Sequence, residues 1–162
     1  MKTMEEARAE VMRAAEGKGT ACPCCDQFVK LYKRKLNSSM AHGLLHVYRY
    51  FKMTKSEWLH FPKFFTEKKI CSSNDGGLLR HWGLVTPMIK DRKDGSWRNG
   101  YYKLTQLGTE FVQSKVSVPK YVYLYNQNVF GFSDGQKYPK EDTTIADSLG
   151  EKFNYRKLMD DE

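Results

Sequence analysis

Apolar residues spaced three or four positions apart predict a helix from about Met40 to Lys52. Asn37 and the two serines after it can cap the start of this helix. The apolar stripe has the spacing of a helix face that packs on a core, and it consists of Met40, Leu44, Val47, Tyr48 and Phe51. The opposite side of the helix carries His42, His46 and Arg49.

Composition predicts two more structured segments around this helix. Residues Met4 to Glu16 are rich in Ala and Glu, which favours a helix, and Gly17 and Gly19 end it. Farther along, Ser56 is expected to cap a short segment from Glu57 to Phe65 that is dense in aromatic residues. Aromatic residues at this density predict core packing.

Short helical and extended patterns alternate in the middle of the chain. Ser and Asn side chains in the segment 72–75 form a capping cluster before a short helix that Gly83 ends. Strands are predicted over 84–89 and 101–104, joined by a basic loop that holds one Asp-Gly and one Asn-Gly turn. A helix over 106–114 follows.

The pattern after Pro119 predicts a hairpin of Tyr121–Tyr125 and Val129–Phe132, and a final helix over Ile145–Leu149. Three tyrosines alternate on one face of the first strand, which suits either a protein interface or a cover for a neighbouring helix. The changes of pattern divide the chain into an N-terminal helix with a Cys-rich turn (1–37), a central domain (38–118) and a C-terminal appendage (119–162).

The central segment, about residues 38 to 115, resembles a winged helix-turn-helix domain. The resemblance is carried by Gly83-Leu84-Val85 at the end of the short helix, and by Tyr102-Lys103-Leu104-Thr105 followed by Gly108 and Phe111. It implies an α+β fold, with a winged helix-turn-helix core to which an N-terminal helix and a C-terminal β-hairpin plus short helix are added. The whole chain also resembles small, poorly characterised bacteriophage and prophage proteins.

The chain departs from that superfamily in its short helix. The helix that contacts DNA is usually longer in winged helices, whereas here Gly76 and Gly77, which disfavour a helix, stand at its start. Either the helix begins at Leu78, or the glycines let the backbone approach another group closely.

Positive charge is concentrated in the centre of the chain. The whole protein has a formal net charge of +8. Residues 30–120 carry 18 basic and six acidic residues, a net charge of +12, whereas residues 1–29 and 121–162 carry −1 and −3. A basic centre of this kind indicates a polyanionic partner.

Charge and resemblance together predict a protein that binds double-stranded DNA, most simply a transcriptional regulator. The expected contacts around the short helix are Lys68, Lys69, Ser72, Ser73, Asn74 and Arg80, the last of which suits a guanine edge. The expected contacts in the basic loop, the wing of the resemblance, are Arg92, Lys93, Trp97 and Arg98. A second basic patch consists of Lys30, Lys33, Arg34 and Lys35.

Three of the four cysteines lie close together, and they suggest a metal site. Cys22 and Cys25 form a C-x2-C pair, and His42 and His46 complete a C-x2-C-x16-H-x3-H pattern just outside the usual finger spacing of about 12 to 15. The sequence therefore raises the hypothesis of a structural, four-coordinate Zn²⁺ site. Cys71 or the cysteine pair of a second subunit are alternative ligands, and a reduced cluster beside two surface histidines is the alternative without metal.

Other classes of protein are disfavoured by the sequence. The chain has no nucleophile elbow, phosphate-binding loop, dinucleotide fingerprint or H-E-x-x-H motif, so we expect a protein that is not an enzyme. No apolar run reaches the length of a membrane span and the start lacks the pattern of a signal peptide, so a cytoplasmic protein is expected, in a bacterial host if phage-encoded. The alternative function is a phage-encoded inhibitor of a host protein or nucleoprotein complex such as a defence system. For the DNA-binding function, homodimerisation through the N-terminal helix or the Tyr-rich hairpin would double the contact area.

Overall fold

The computed structural model describes residues 1–89 and 99–160, and it confirms the α+β class with several small antiparallel sheets. The helices are α1 (Met4–Ala15), α2 (Ser38–Met53), α3 (Phe61–Lys68), α4 (Ser73–Leu78), α5 (Gln106–Val112), α6 (Ile145–Leu149) and α7 (Tyr155–Asp160). A 3₁₀ turn, Leu79–Trp82, continues α4. None of the described helices combines the length and the hydrophobicity needed to cross a bilayer.

The strands are β1 (Thr20–Ala21), β2 (Phe28–Val29), β3 (Tyr32–Lys35), β4 (Leu59–His60), β5 (Val85–Pro87), β6 (Tyr101–Leu104), β7 (Val118–Pro119), β8 (Tyr121–Tyr125), β9 (Asn128–Phe132) and β10 (Asp142–Thr143). They form two three-stranded sheets, in the orders β4-β6-β5 and β3-β8-β9, and the two-stranded pairs β1-β2 and β7-β10. All of these pairings are antiparallel.

Side-chain caps start the helices where the sequence predicts them in most cases. The Asn37 side chain accepts a hydrogen bond from the Met40 N–H at 2.9 Å, which begins α2 as expected. The cap predicted at Ser56 is wrong. Pro62 fits the first turn of α3, so the helix begins at Phe61 with His60 as its cap, and Leu59–His60 pair with β6 as a strand.

The predicted C-terminal hairpin is confirmed, and it has a third strand that the sequence did not show. Lys35 to Tyr32 of β3 pair with Tyr121 to Leu124 of β8. All four β3 residues are exposed, so the strand carries no apolar alternation by which it could be predicted.

One continuous core connects the middle and the end of the chain. Met40, Leu44 and Val47 of the predicted stripe are buried, while Tyr48 and Phe51 are partly buried against them. The same core takes in residues from α3, α5, α6 and β8, among them Phe61, Phe65, Phe111, Val122, Ile145 and Leu149. The core therefore holds α4 and the 3₁₀ turn between α2, α3 and the β4-β6-β5 sheet.

We expect Trp82→Phe to destabilise the protein by about 1–3 kcal/mol. Trp82 is only 5% exposed, and its indole N–H donates to the Pro119 carbonyl at 2.7 Å, which connects the 3₁₀ turn to β7. Phenylalanine keeps most of the ring but leaves that carbonyl without its donor. Urea denaturation measures the loss, and Trp58→Phe is the matched control because Trp58 is only partly buried. Equal midpoints for the two variants would contradict the expectation.

Candidate nucleic-acid interface

A cleft of about 550 Å³ opens between α4 with its 3₁₀ turn and the β3-β8-β9 sheet. Polar or aromatic residues from several separate segments line its walls, and they are Tyr32, Arg34, Asn74, Asp75, Arg80, His81, Tyr102, Asn126 and Gln127. Residues of two predicted clusters, the short helix and the second basic patch, thus line one cleft, although they are about 40 positions apart in the chain. We call it the Arg34–Arg80 cleft.

The register of β3 decides which residues of the second basic patch reach this cleft. Arg34 lies opposite Val122 in the sheet and is exposed, whereas Val122 is fully buried. Because successive side chains of a strand point to opposite faces, Lys33 and Lys35 lie on the other face of the sheet. Accordingly, the Lys33 ammonium lies 4.1 Å from the centre of the Tyr121 ring. The patch is therefore divided between two faces.

The structure shows whether α4 includes the two glycines, Gly76 and Gly77, or begins after them. Ser72 caps the helix by accepting from the Asp75 N–H at 3.0 Å, and α4 begins at Ser73 and runs through both glycines. A Cβ on Gly76 would lie 2.2 Å from the Phe65 ring. Of the two alternatives, a helix that begins at Leu78 is thus wrong, and a close approach is correct, because the Phe65 ring packs against Gly76.

Arg80 is held at the wall of the cleft by its own helix. Its guanidinium donates to the Gly77 carbonyl at 2.6 Å, which orients the side chain. Asn74 and Asp75, one turn earlier, line the same cleft. Two arginines and one carboxylate therefore give the cleft a positive balance, and His81 adds a titratable group to its wall.

The remaining predicted contacts lie elsewhere or are not described. Lys68 and Lys69 are exposed at the end of α3, and Lys69 ends the helix with φ 54°. Lys68 lines a second cleft of about 660 Å³, together with His46 and Arg49, rather than the Arg34–Arg80 cleft. The four residues predicted in the wing lie outside the described residues, and they are Arg92, Lys93, Trp97 and Arg98.

Sequence reasoning missed Tyr32, Asn126 and Gln127 as members of the cleft. Tyr32 was not singled out because β3 itself was not predicted. Asn126 and Gln127 do lie in a predicted turn, and both take a positive φ, 49° and 65°. Their polar side chains in a tight turn were a local sign of a loop, and only the fold brings them to face α4.

The alternating tyrosines of β8 are partly covered by this chain's own residues. The Tyr123 ring stacks on Tyr138 with the ring centres 3.5 Å apart, and Lys33 covers Tyr121. Tyr121, Tyr123 and Tyr125 are all half-buried. A loop and a lysine, not a neighbouring helix, therefore cover this face.

The cysteine and histidine pairs of the zinc hypothesis form two separate contacts. The Cys22 thiol accepts hydrogen bonds from the backbone N–H groups of Cys24 and Cys25, which lower its pKa. His42 and His46 lie with their Nε2 atoms 3.1 Å apart, and both rings are half-buried rather than on the surface. Among residues 1–89 and 99–160, no three His, Cys, Asp or Glu side chains are grouped so that they could hold a metal ion. Zinc binding stays a prediction.

Comparisons with protein-family models, with curated proteins and with solved structures found no match to this chain. Its function must therefore be inferred from its own residues.

Proposed function

We propose that this protein binds double-stranded DNA, as a small regulator would, and that the Arg34–Arg80 cleft is part of the contact surface. The observation that carries the proposal is the convergence of Arg34, Arg80 and Asn74 on one open cleft. Two guanidinium groups suit phosphate oxygens or a guanine edge, and an amide side chain suits phosphate or an adenine edge.

The order of elements around the cleft supports a winged-helix interpretation of the central segment. Helix α2 is followed by β4, α3, α4 with its 3₁₀ turn, and then the antiparallel pair β5-β6. Val85 pairs with Leu104 and Pro87 with Tyr102, so β5 and β6 are adjacent antiparallel strands that follow the helices, as the two strands of a wing do. In this proposal α4 and Arg80 lie against the duplex, and the wing contacts its backbone.

Electrostatics favours a polyanion over a neutral partner. The segment 30–120 has a net charge of +12, and it contains both arginines of the cleft. Each basic residue that neutralises a phosphate releases condensed counterions, so affinity falls steeply as salt rises. The partial cover over the β8 tyrosines gives the alternative, an inhibitor that binds a host protein, less support than the sequence pattern alone suggested.

The test is fluorescence anisotropy with a random DNA duplex and a single strand, titrated over salt. We expect a duplex Kd of about 1 μM or tighter at low salt, weakening steeply as salt rises. Arg34→Ala should flatten the salt dependence by about one phosphate contact, and Arg34→Glu should weaken binding by about tenfold or more.

Lys157→Glu is the matched control, because it makes the same charge change on an exposed residue of α7, away from the cleft. Arg80→Gln tests the second arginine of the cleft in the same assay. Equal losses for Lys157→Glu and Arg34→Glu would mean that only net charge matters. No binding of either DNA at low salt would refute the proposal and direct the search to a protein partner.

A further inference from the structure

The β1-β2 hairpin follows α1, and its tip carries the Cys22 and Cys25 pair, which could supply part of the ligands of a metal site. Strands β1 and β2 pair through Thr20 with Val29 and Ala21 with Phe28. Beyond them the Cys22 N–H donates to the Gln27 carbonyl at 2.8 Å, and the Asp26 N–H donates to the Cys22 carbonyl at 2.9 Å. The segment 22–27 is thereby a closed turn at the tip of a two-stranded ribbon.

Within this turn the backbone presents the thiols of Cys22 and Cys25 together. Asp26 takes φ 59°, which turns the chain back sharply after Cys25. The Cys22 thiol accepts hydrogen bonds from the N–H groups of Cys24 and Cys25 and contacts the thiols of both residues. Backbone N–H groups aimed at a sulfur stabilise a thiolate, the form that binds metal. Cys25 is exposed and Cys22 half-exposed, so a metal can reach both.

The rest of the described chain does not complete the site. The Cys24 thiol lies in the same turn, where it contacts the Cys22 thiol and lies 3.8 Å from the Met4 sulfur, but it adds only one further sulfur. Cys71 is half-buried beside Gly43 of α2, and burial raises its pKa to about 12, which disfavours a thiolate ligand. The described residues hold no group of three metal-ligating side chains, so the pair needs two ligands from outside. Zn²⁺ in a structural site takes four.

We propose that Cys22 and Cys25 of two copies of this chain bind one Zn²⁺ ion in a Cys₄ site, and that the metal joins the copies as a dimer. A two-fold axis through the ion supplies the second thiol pair in the same geometry as the first. Binding is a ligand exchange without redox change: four thiols lose four protons, and Zn²⁺ takes four thiolate sulfurs. The inference does not rest on DNA binding.

The surface around the turn suits a second copy. Met4 and Phe28 are each 58% exposed, and Met12 on α1 is 43% exposed. Met4 lies next to the turn through its contact with Cys24, and Phe28 is in the hairpin itself. Exposed apolar side chains beside a metal-linked pair would be covered by their symmetry mates in the dimer.

The experiment is native mass spectrometry with zinc analysis on the full chain, purified with a phosphine reductant. We expect a dimer with about half a zinc ion per chain, which a strong chelator converts to a metal-free monomer. Cys22→Ser and Cys25→Ser should each be monomeric and lose the zinc. Cys24→Ser and Cys71→Ser are the matched controls, and they should keep both the metal and the dimer.

Four outcomes would overturn the proposal. They are a zinc-free monomer from a zinc-supplemented culture, one zinc ion per monomer, zinc retained by Cys25→Ser, and a dimer that forms only when the reductant is omitted and that the chelator does not separate. The last would identify a disulfide between chains. Cobalt substitution is an independent measurement, because sulfur-to-cobalt absorption grows with the number of thiolate ligands and is absent when all ligands are oxygen or nitrogen.

Discussion

Gly108→Ala should lower the free energy of unfolding by about 3 kcal/mol, a large effect for adding one methyl group. Gly108 is buried on the face of α5, and a Cβ built on it would lie 2.1 Å from the Leu84 carbonyl oxygen and 2.8 Å from the Leu104 side chain. The nearer atom belongs to the backbone, so it cannot move aside by changing a rotamer. The helix would have to shift outward.

The shift would break a network at the start of α5. The Thr105 N–H donates to the Leu84 carbonyl at 3.1 Å, and the Thr105 hydroxyl donates to the Gly83 carbonyl at 2.5 Å. The same hydroxyl accepts from the Gly108 N–H at 3.0 Å. One side chain therefore connects the end of the 3₁₀ turn, the start of β5 and the first turn of α5.

Thermal and urea unfolding of Gly108→Ala measure this effect, with a fall in Tm of about 6–12 °C expected for a chain of this size. Gly17→Ala is the control, because a Cβ built on Gly17 would lie at an ordinary 3.7 Å from the Ala14 carbonyl oxygen. That variant should change stability by less than about 0.5 kcal/mol. A Gly108→Ala protein as stable as the Gly17→Ala protein would show that α5 can shift at little cost.

Stability should also fall on acidification below about pH 6.5, in part because of His46. Burial, together with the nearby His42, Arg49 and Lys68, lowers the pKa of His46 from its ordinary value of 6.5 to about 4. Between these values the unfolded chain binds a proton that the folded chain does not, so acid favours unfolding. The contribution is present above pH 6.5 and is lost as the pH falls towards 4.

The expected loss from this one group is about 1–2 kcal/mol between pH 7 and pH 4.5, after allowing for its partial exposure. Its main physical source is the burial of the His46 ring, and the neighbouring His42, whose Nε2 atom lies 3.1 Å from that of His46 and whose ring stacks on Phe153, adds to it. Protonating both rings would place two like charges together in a half-buried site.

Comparing the wild-type protein with His46→Gln isolates this contribution from that of the carboxylates. The glutamine variant should unfold with a flatter pH dependence between pH 7 and pH 4.5, and an NMR titration of the His46 ring should show no protonation above about pH 5. Parallel stability curves for the two proteins would contradict the assignment.

Local chemistry made much of the secondary structure predictable. Asn37 and Ser72 each cap the helix that the sequence assigned to them, because a cap needs only neighbours three residues away. The hairpin after Pro119 and the strand over 101–104 were predicted for the same kind of reason, namely alternation and adjacent turns. These interactions involve only residues that are close together in the chain, so the sequence by itself is enough to predict them.

Elements whose stability comes from distant partners were missed or misplaced. Strand β3 is formed by pairing with β8, and α7 packs on the core, where the Tyr155 hydroxyl donates to the Val112 carbonyl at 2.6 Å. Strand β4 exists because Leu59 pairs with Tyr102. None of the three carries a strong periodic pattern of its own.

The same division applies to the candidate sites. The sequence alone showed a basic centre of net charge +12, the C-x2-C pair and the place of Arg80 in a short, capped helix. Charge and spacing can be read directly from the chain. Only the tertiary structure decided that Arg34 and Arg80 share a cleft, that Lys68 lies in another, and that the paired histidines are half-buried. These depend on contacts between segments tens of residues apart, which the common core determines and no local pattern encodes.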